Sequence, residues 1–136
     1  MGSAIAEAFQ RRGLHVFATA RSLSKLSHLT QLSRVTLLSL DVSSPTSVAA
    51  AVEAVAAKTG GSLDFLVNNS GVGYFAPLLD SDVEKGKEMF DVNFWGVLNM
   101  TQAFAPLLIA VQGTVINNSS ISSVLYTPWI GSSPHS

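Results

Sequence analysis

Apolar residues follow a helical spacing and then a strand-like run at the start of the chain. Ile5 and Phe9 lie on one face of a predicted helix at 3–12, and Gly13 stands where a glycine commonly ends a helix. The next run, at 14–20, is apolar enough for a buried strand. The pattern therefore predicts a helix followed by a strand.

The same alternation continues to residue 118. Ser22 can cap a second helix, and Ser44 followed by Pro45 is typical of the start of a third. Asp80 or Ser81 can cap a long fourth helix. The further predicted strands cover 35–42, 63–67 and 114–118. The second predicted helix carries four leucines on one face, namely Leu23, Leu26, Leu29 and Leu32. The third and fourth predicted helices cover 48–58 and 81–112.

Alternating helices and strands predict a parallel sheet with helices on both faces, because parallel strands need long crossover connections. The strands are continuously apolar, which agrees with burial on both faces. A chain of 136 residues has the size of one domain. We therefore predict a doubly wound α/β domain over residues 1–136.

Composition narrows the function classes. Hydrophobic residues make up 47% and charged residues 12%, against roughly 25% charged in an average soluble protein, so the chain is built for burial. A net charge of −1 and the lack of basic runs argue against nucleic acid as a partner. No apolar run approaches the roughly 20 residues of a membrane span. The lack of cysteine agrees with a cytoplasmic location, and peripheral contact with lipid membranes stays open.

Polar motifs lie after two predicted strands and inside the long helix. The run Asn68-Asn69-Ser70-Gly71 follows one strand, and Ser120 follows another. Asn93 lies mid-helix, where asparagine is unfavourable because its amide competes for backbone hydrogen bonds. In order and spacing these residues resemble the short-chain dehydrogenase/reductase family over essentially the whole chain.

The resemblance implies a Rossmann-like fold and hydride transfer between NADPH and a ketone or alcohol. In that family the sheet order is 3-2-1-4-5, and the matching part of this sequence begins after the first strand. The resemblance therefore implies an interior fragment that lacks the first strand and the C-terminal part. The runs 16–22 and 127–131 look like fungal reductases of the acyl-dihydroxyacetone-phosphate and hydroxysteroid type, which implies a lipid-like substrate.

Four candidate cofactor residues come from the first half of the chain. Gly2 resembles the last glycine of the family's phosphate-binding turn, although it is also the small residue that follows an initiator methionine. Arg21 follows a strand where the family recognises the adenosine ribose, and a guanidinium there favours the 2′-phosphate of NADP over a solvated role. Asp41 and Val42 match an adenine-binding pair, and Asp41 can also support the start of the next helix.

The resemblance assigns further roles around the asparagine turn. Asn68, Ser70 and Gly71 match a turn that stabilises the sheet and packs beside the cofactor ribose, whereas the simpler interpretation is an ordinary asparagine-rich turn. Asn93 matches an asparagine that disrupts its helix and holds a water of the proton relay. Ser120 matches the serine whose hydroxyl orients the substrate.

The family's catalytic tyrosine and lysine do not match. Ser133 stands thirteen residues past Ser120, where the tyrosine is expected, and the lysine would fall beyond Ser136. An aliphatic hydroxyl is too weak an acid to replace a phenol, and His135 is a poor substitute. Tyr126 does not fit the spacing.

Two classes of function remain. The first is an NADP-dependent oxidoreductase that is catalytically incomplete as given. The second is a non-catalytic nucleotide-binding or assembly module, or a degenerate remnant without a ligand. In relatives the helix at 81–112 packs against a partner subunit, and its apolar residues here predict either a homo-oligomer or packing on their own sheet. These residues are Phe90, Phe94, Trp95, Val97, Leu98 and Phe104.

Overall fold

The computed structural model describes residues 1–120, in which helices and parallel strands alternate as predicted. The elements are α1 (Gly2–Arg11), β1 (Val16–Ala20), a 3₁₀ helix (Leu23–Leu29), β2 (Val35–Ser39), α2 (Pro45–Thr59), β3 (Phe65–Asn68), a 3₁₀ turn (Leu78–Asp80), α3 (Val83–Phe90), a π-helical turn (Asp91–Trp95), α4 (Gly96–Ile109) and β4 (Thr114–Asn117). Within these residues the first element is a helix.

The chain divides into two compact units, Met1–Gly61 and the residues from Ser62 onward. Each unit contains a two-stranded parallel sheet, formed by β1 with β2 in the first and by β3 with β4 in the second. The strand pairing agrees with the predicted α/β class. That all of 1–136 forms one domain stays a prediction.

The core of the first unit lies between α1, β1 and the 3₁₀ helix. Leu29 is 1% exposed and is the largest fully buried side chain of the described residues. Gly13 ends α1 with φ 85°, a left-handed conformation that glycine adopts without strain. Its carbonyl accepts a hydrogen bond from Nη1 of Arg34 at 2.7 Å. The buried cluster consists of Ala6, Ala18, Leu26 and Leu29.

Helix α2 begins and ends as its sequence predicts. The Ser44 hydroxyl accepts a hydrogen bond from the backbone N–H of Ser47, and Pro45 occupies the first helical position. Gly60 ends the helix with φ 71°. The helix contacts β2. Its buried residues are Val48, Ala51 and Val55.

In the second unit α4 lies against the β3–β4 sheet. The apolar face of α4 and Leu66 of β3 are buried. The chain then turns tightly into β4 at Gly113, whose N–H donates to the Leu108 carbonyl at 2.8 Å. The buried residues of α4 are Gly96, Met100, Phe104, Leu107 and Leu108.

The second predicted helix is shorter and tighter than expected. It is a seven-residue 3₁₀ helix, and Ser22 makes no capping hydrogen bond to its backbone. The Ser22 hydroxyl lies 2.8 Å from that of Ser24, and the Thr30 hydroxyl donates to the Ser27 carbonyl. Hydroxyl groups that bond locally in this way compete with the regular α-helical pattern.

The predicted cap of the long helix is wrong by one or two residues. Asp82, rather than Asp80 or Ser81, accepts hydrogen bonds from the backbone N–H groups of Glu84 and Lys85. Asp80 belongs to the preceding 3₁₀ turn, and the Ser81 hydroxyl donates to the Pro77 carbonyl instead. The 3₁₀ turn before the helix therefore places the first helical residue at Val83.

No helix within 1–120 is long and apolar enough to cross a bilayer.

Gly113 offers a test of the turn between α4 and β4. An added Cβ would collide with the backbone carbonyl oxygens of Leu63 and Asp64. We expect Gly113→Ala to lower the free energy of unfolding by about 1–3 kcal/mol, measured by urea denaturation. Gly86, inside α3, has open space around an added Cβ, so Gly86→Ala should raise stability by up to about 1 kcal/mol. Equal effects of the two variants would contradict this account of the turn.

Candidate functional site

Arg21 and Asp41 lie at the carboxyl edge of the β1–β2 sheet. Arg21 directly follows β1, and Asp41 comes two residues after the end of β2. The N–H of Leu40 donates to the Ala20 carbonyl at 3.0 Å, which extends the strand pairing up to this edge. The structure thus brings two of the predicted cofactor residues together.

Asp41 is held in its ionised form. The Ser43 hydroxyl donates to Oδ1 of Asp41 at 2.6 Å, and the Ser43 N–H donates to the same oxygen at 3.0 Å. These two bonds, followed by the charge of Arg21, lower the pKa of Asp41, and burial opposes them only in part. Within residues 1–120 no hydrogen bond to Oδ2 is present, so this oxygen can accept from a ligand.

Arg21 is exposed, and its guanidinium forms no ion pair or hydrogen bond with the described residues. It influences Asp41 only through its charge. Val42 is half-buried beside Asp41, and Gly2 is the first residue of α1, one residue before the predicted start of the helix at residue 3. The roles of all four residues in cofactor binding stay predictions.

Asn68 joins the ends of β3 and β4 to α4. It is 9% exposed, and its Nδ2 group donates to Oδ1 of Asn117 at 2.8 Å and to Oγ1 of Thr101 at 3.4 Å. The Thr101 hydroxyl in turn donates to the Val97 carbonyl. The Asn68 carbonyl accepts from the N–H of Asn118. Asn68 is therefore a buried structural junction, and its predicted place beside the cofactor ribose stays a prediction.

A second amide pair lies next to the first. Nδ2 of Asn118 donates to Oδ1 of Asn69 at 2.9 Å. Asn117, Asn118 and Thr101 are not among the predicted site residues. The Asn-Asn dipeptide that ends both strands was the available signal, because parallel strands in register bring such repeats together.

The long helix is interrupted at Asn93, while the predicted role of Asn93 in holding a water stays a prediction. Residues Asp91–Trp95 form a π-helical turn, in which the N–H of Gly96 donates to the Asp91 carbonyl five residues earlier. The Asn93 side chain points to the loop after β3. Its Oδ1 accepts from the N–H of Val72 at 2.9 Å, and its Nδ2 donates to the Val72 carbonyl at 2.8 Å.

This two-point contact fixes the loop that follows the asparagine turn. An added Cβ on Gly71 would lie 3.6 Å from Oδ1 of Asn93, so the two residues are neighbours. Ser70, Gly71 and Ser120 are exposed at the carboxyl edge of the β3–β4 sheet. The second unit therefore carries Asn68, Ser70, Gly71, Asn93 and Ser120.

The predicted site residues fall into two groups. Arg21 and Asp41 belong to the first unit, whereas Asn68, Asn93 and Ser120 belong to the second. Their convergence around one nucleotide stays a prediction. Tyr126, Ser133 and His135 lie outside the described residues. No cluster of potential metal ligands occurs within 1–120.

Comparison with known proteins identifies the family. A sequence model of the short chain dehydrogenase family matches residues 1–133. The chain belongs to the short-chain dehydrogenase family. The resemblance based on the asparagine turn, Asn93 and Ser120 is thereby confirmed.

Curated short-chain dehydrogenases of fungi are similar to this chain. Short-chain dehydrogenase PC-15 of Penicillium crustosum is 52% identical over 131 residues, which are 96% of this chain and 48% of that protein. The NADPH-dependent 1-acyldihydroxyacetone phosphate reductase of Schizosaccharomyces pombe is 40% identical over 129 residues, covering 95% of this chain and 43% of that protein. The chain thus spans about half the length of these relatives.

Solved structures agree on the Rossmann-like fold. An alcohol dehydrogenase from Thermococcus sibiricus, complexed with 5-hydroxy-NADP, is 33% identical with a TM-score of 0.86, covering 96% of this chain and 58% of its own. A metagenomic short-chain oxidoreductase in complex with NADP is 30% identical with a TM-score of 0.86, covering 96% and 62%. The predicted fold class is confirmed.

The two hydrogen bonds from Ser43 give a prediction for the pKa of Asp41. We expect Ser43→Ala to raise this pKa toward its usual value, because the hydroxyl bond is the largest cause of the lowering. The measurement is an NMR titration of the Asp41 carboxyl carbon. Ser44→Ala is the control, since it removes the α2 cap and leaves both Ser43 bonds in place.

The sign of the pH dependence follows from the lowered pKa. The carboxylate is favoured in the folded state, so its contribution to stability is fully present above the unfolded pKa of about 3.9. That contribution is lost as the pH falls through the lower, folded pKa. In Ser43→Ala the stability lost on acidification should be smaller. An unchanged pKa of Asp41 in this variant would refute Ser43 as the main cause of the lowering.

Proposed function

We propose that the protein carrying these residues transfers hydride between NADP(H) and a ketone or alcohol. Membership of the short-chain dehydrogenase family supports an oxidoreductase. The observation that carries the choice of cofactor is the exposed Arg21 guanidinium beside the ionised Asp41 at one strand edge. Two neighbouring structures contain NADP or 5-hydroxy-NADP, and one relative is named NADPH-dependent.

The donors and acceptors of the first unit fit the adenosine half of this cofactor. A guanidinium pairs with a phosphate through charge-assisted hydrogen bonds, so Arg21 would hold the 2′-phosphate. An ionised carboxylate accepts from an amino group, so Oδ2 of Asp41 would receive the adenine amine, with Val42 against the ring. When bound, NADP(H) supplies or accepts the hydride.

The second unit would contact the substrate and the part of the cofactor that reacts with it. The Ser120 hydroxyl would orient the substrate oxygen, and Ser70 and Gly71 would line the cofactor ribose. Asn93 holds the Val72 backbone through both polar atoms of its side chain. One amide hydrogen and one lone pair of Asn93 remain beyond these two bonds, which is enough to hold a water of the proton relay.

The substrate class is proposed to be apolar ketones or alcohols with a lipid-like chain. The likeness to a fungal enzyme named 1-acyldihydroxyacetone phosphate reductase supports this class. A homo-oligomer through the helix at 81–112 also stays a prediction. Exposed side chains at a four-residue spacing on this helix support it, namely Phe90, Phe94 and Leu98, which are 41%, 48% and 41% exposed.

Replacement of Arg21 tests the cofactor assignment. Arg21→Ala should weaken NADPH binding roughly 10- to 100-fold, because charge-assisted hydrogen bonds contribute about 1.5–3 kcal/mol. NADH, which lacks the 2′-phosphate, should bind Arg21→Ala and the unchanged protein about equally. Binding is measured by titration calorimetry. Arg21→Lys keeps the charge without the planar guanidinium, so its affinity for NADPH should fall between those of Arg21→Ala and the unchanged protein.

Arg12 provides the matched control for Arg21. It is an exposed arginine that precedes β1, whereas Arg21 follows it, so the two lie at opposite ends of the strand. Arg12→Ala should leave NADPH affinity unchanged. An equal loss of NADPH and NADH affinity in Arg21→Ala would contradict recognition of the 2′-phosphate.

We further propose that a polypeptide of these 136 residues binds NADPH without reducing ketones. Ser133 stands where the family's tyrosine is expected, and its hydroxyl cannot act as a general acid at neutral pH. The expected result is no ketone-dependent loss of NADPH absorbance, with a complete short-chain dehydrogenase as the positive control. Measurable reduction would refute this proposal. Failure to bind either nicotinamide cofactor would favour a remnant without a ligand.

A further inference from the structure

A pair of solvent-accessible amide side chains, one half-buried and one exposed, joins the chain segments that leave β3 and β4. Asn69 directly follows β3, and Asn118 directly follows β4. Nδ2 of Asn118 donates to Oδ1 of Asn69 at 2.9 Å. Neither side chain has a role in the proposed cofactor or substrate contacts. Both are followed within two residues by a residue that does, Gly71 after Asn69 and Ser120 after Asn118.

This pair differs from its buried neighbour. One residue earlier, Asn68 donates to Asn117 at 2.8 Å and is anchored by Thr101. Successive residues of an extended chain point to opposite faces, so the two amide pairs lie on opposite sides of the strand ends. Loss of the buried pair would leave polar groups without partners in the core, which destabilises the fold.

Loss of the exposed pair has a different consequence. Asn118 is exposed and Asn69 is half-buried, so water can replace their mutual hydrogen bond at little expense to folding. The local effect is larger, because Ser120 follows Asn118 by two residues and its Cα lies within about 7 Å along the chain. A side chain tied at Asn118 therefore limits the backbone that carries Ser119 and Ser120.

We propose that Asn118 and Asn69 are positioning residues that hold Ser120 in place at the carboxyl edge of the β3–β4 sheet. That this positioning matters for catalysis rests on the proposed role of Ser120 in orienting the substrate oxygen. A hydroxyl that must meet a carbonyl group needs a fixed backbone, since misplacement by about 1 Å can reduce a rate roughly 100-fold. The buried pair joins the two strand ends, and the exposed pair holds the chain where it leaves them.

NMR relaxation of the backbone amides tests the proposal. In Asn118→Leu and in Asn69→Leu the order parameters of Ser119 and Ser120 should fall from about 0.85 to below about 0.6. Those of Leu66 and Val115, inside β3 and β4, should not change. A purely structural role would loosen the strands as much as Ser120, and that result would overturn the proposal.

A conservative variant and a double variant sharpen the test. Asn69→Asp keeps an acceptor oxygen for Asn118 and should retain the order parameter of Ser120. The double variant Asn69→Leu/Asn118→Leu should loosen Ser120 by less than the sum of the two single effects, because both substitutions remove the Asn118–Asn69 hydrogen bond. Additive loosening, or no loosening in either single variant, would also count against the pair.

Controls separate this proposal from the proposed function. Glu84→Ala removes another exposed contact of the second unit, with Lys87, and should leave Ser120 unchanged. If a leucine variant does not fold, Asn118→Ser shortens the side chain while it stays polar, and the same loosening is expected. NADPH titration of each variant is run in parallel. Absence of NADPH binding throughout would refute the cofactor assignment, whereas the order parameters alone decide the positioning role.

Discussion

The parallel register of β3 and β4 is the constraint on which the second half of the site depends. It places Asn68 opposite Asn117, so that two amide groups meet at the point where both strands end. A shift of one residue would turn each asparagine to the other face of the sheet. The register therefore determines both the buried junction with Thr101 and the direction in which the chain leaves toward Ser120.

The π-helical turn shows the same coupling between a polar side chain and the backbone. An asparagine inside a regular α-helix faces competition between its amide and the helical hydrogen bonds. Here the helix widens over Asp91–Trp95, and both polar atoms of Asn93 bond to the Val72 backbone. Local loss of regular helix is thus linked to order in the loop after β3. Two hydrogen bonds thus join the helix to the loop at the candidate site.

Sequence reasoning predicted the elements where strong local signals coincide. Ser44, Pro45 and Gly60 act at the two ends of α2, and each acts through its own backbone or hydroxyl. The cap of α3 was missed because Asp80, Ser81 and Asp82 are equally good cap residues by type. Only the 3₁₀ turn before them decides which one faces the first free N–H groups.

The site residues divide along a similar line. Arg21, Asp41 and Asn93 could be proposed because the family motif fixes their positions in the sequence. Asn118 and Thr101 could not be, since their importance comes from partners 49 and 33 residues away. Such pairs depend on the register of strands and the packing of α4, which a linear pattern does not specify. The repeated Asn-Asn dipeptide is the only sequence signal of the Asn118–Asn69 pair.

The arrangement at the other strand edge resolves an apparent conflict of charge. A guanidinium beside a carboxylate would be expected to neutralise it and lose its capacity for an external phosphate. Within residues 1–120, however, the Arg21 guanidinium makes no ion pair or hydrogen bond, and the hydroxyl and N–H of Ser43, rather than Arg21, are the largest causes of the lowered pKa of Asp41. Asp41 therefore does not need Arg21 as a direct partner. The guanidinium stays exposed, and the proposed recognition of a phosphate and an amino group depends on it and on Oδ2 of Asp41.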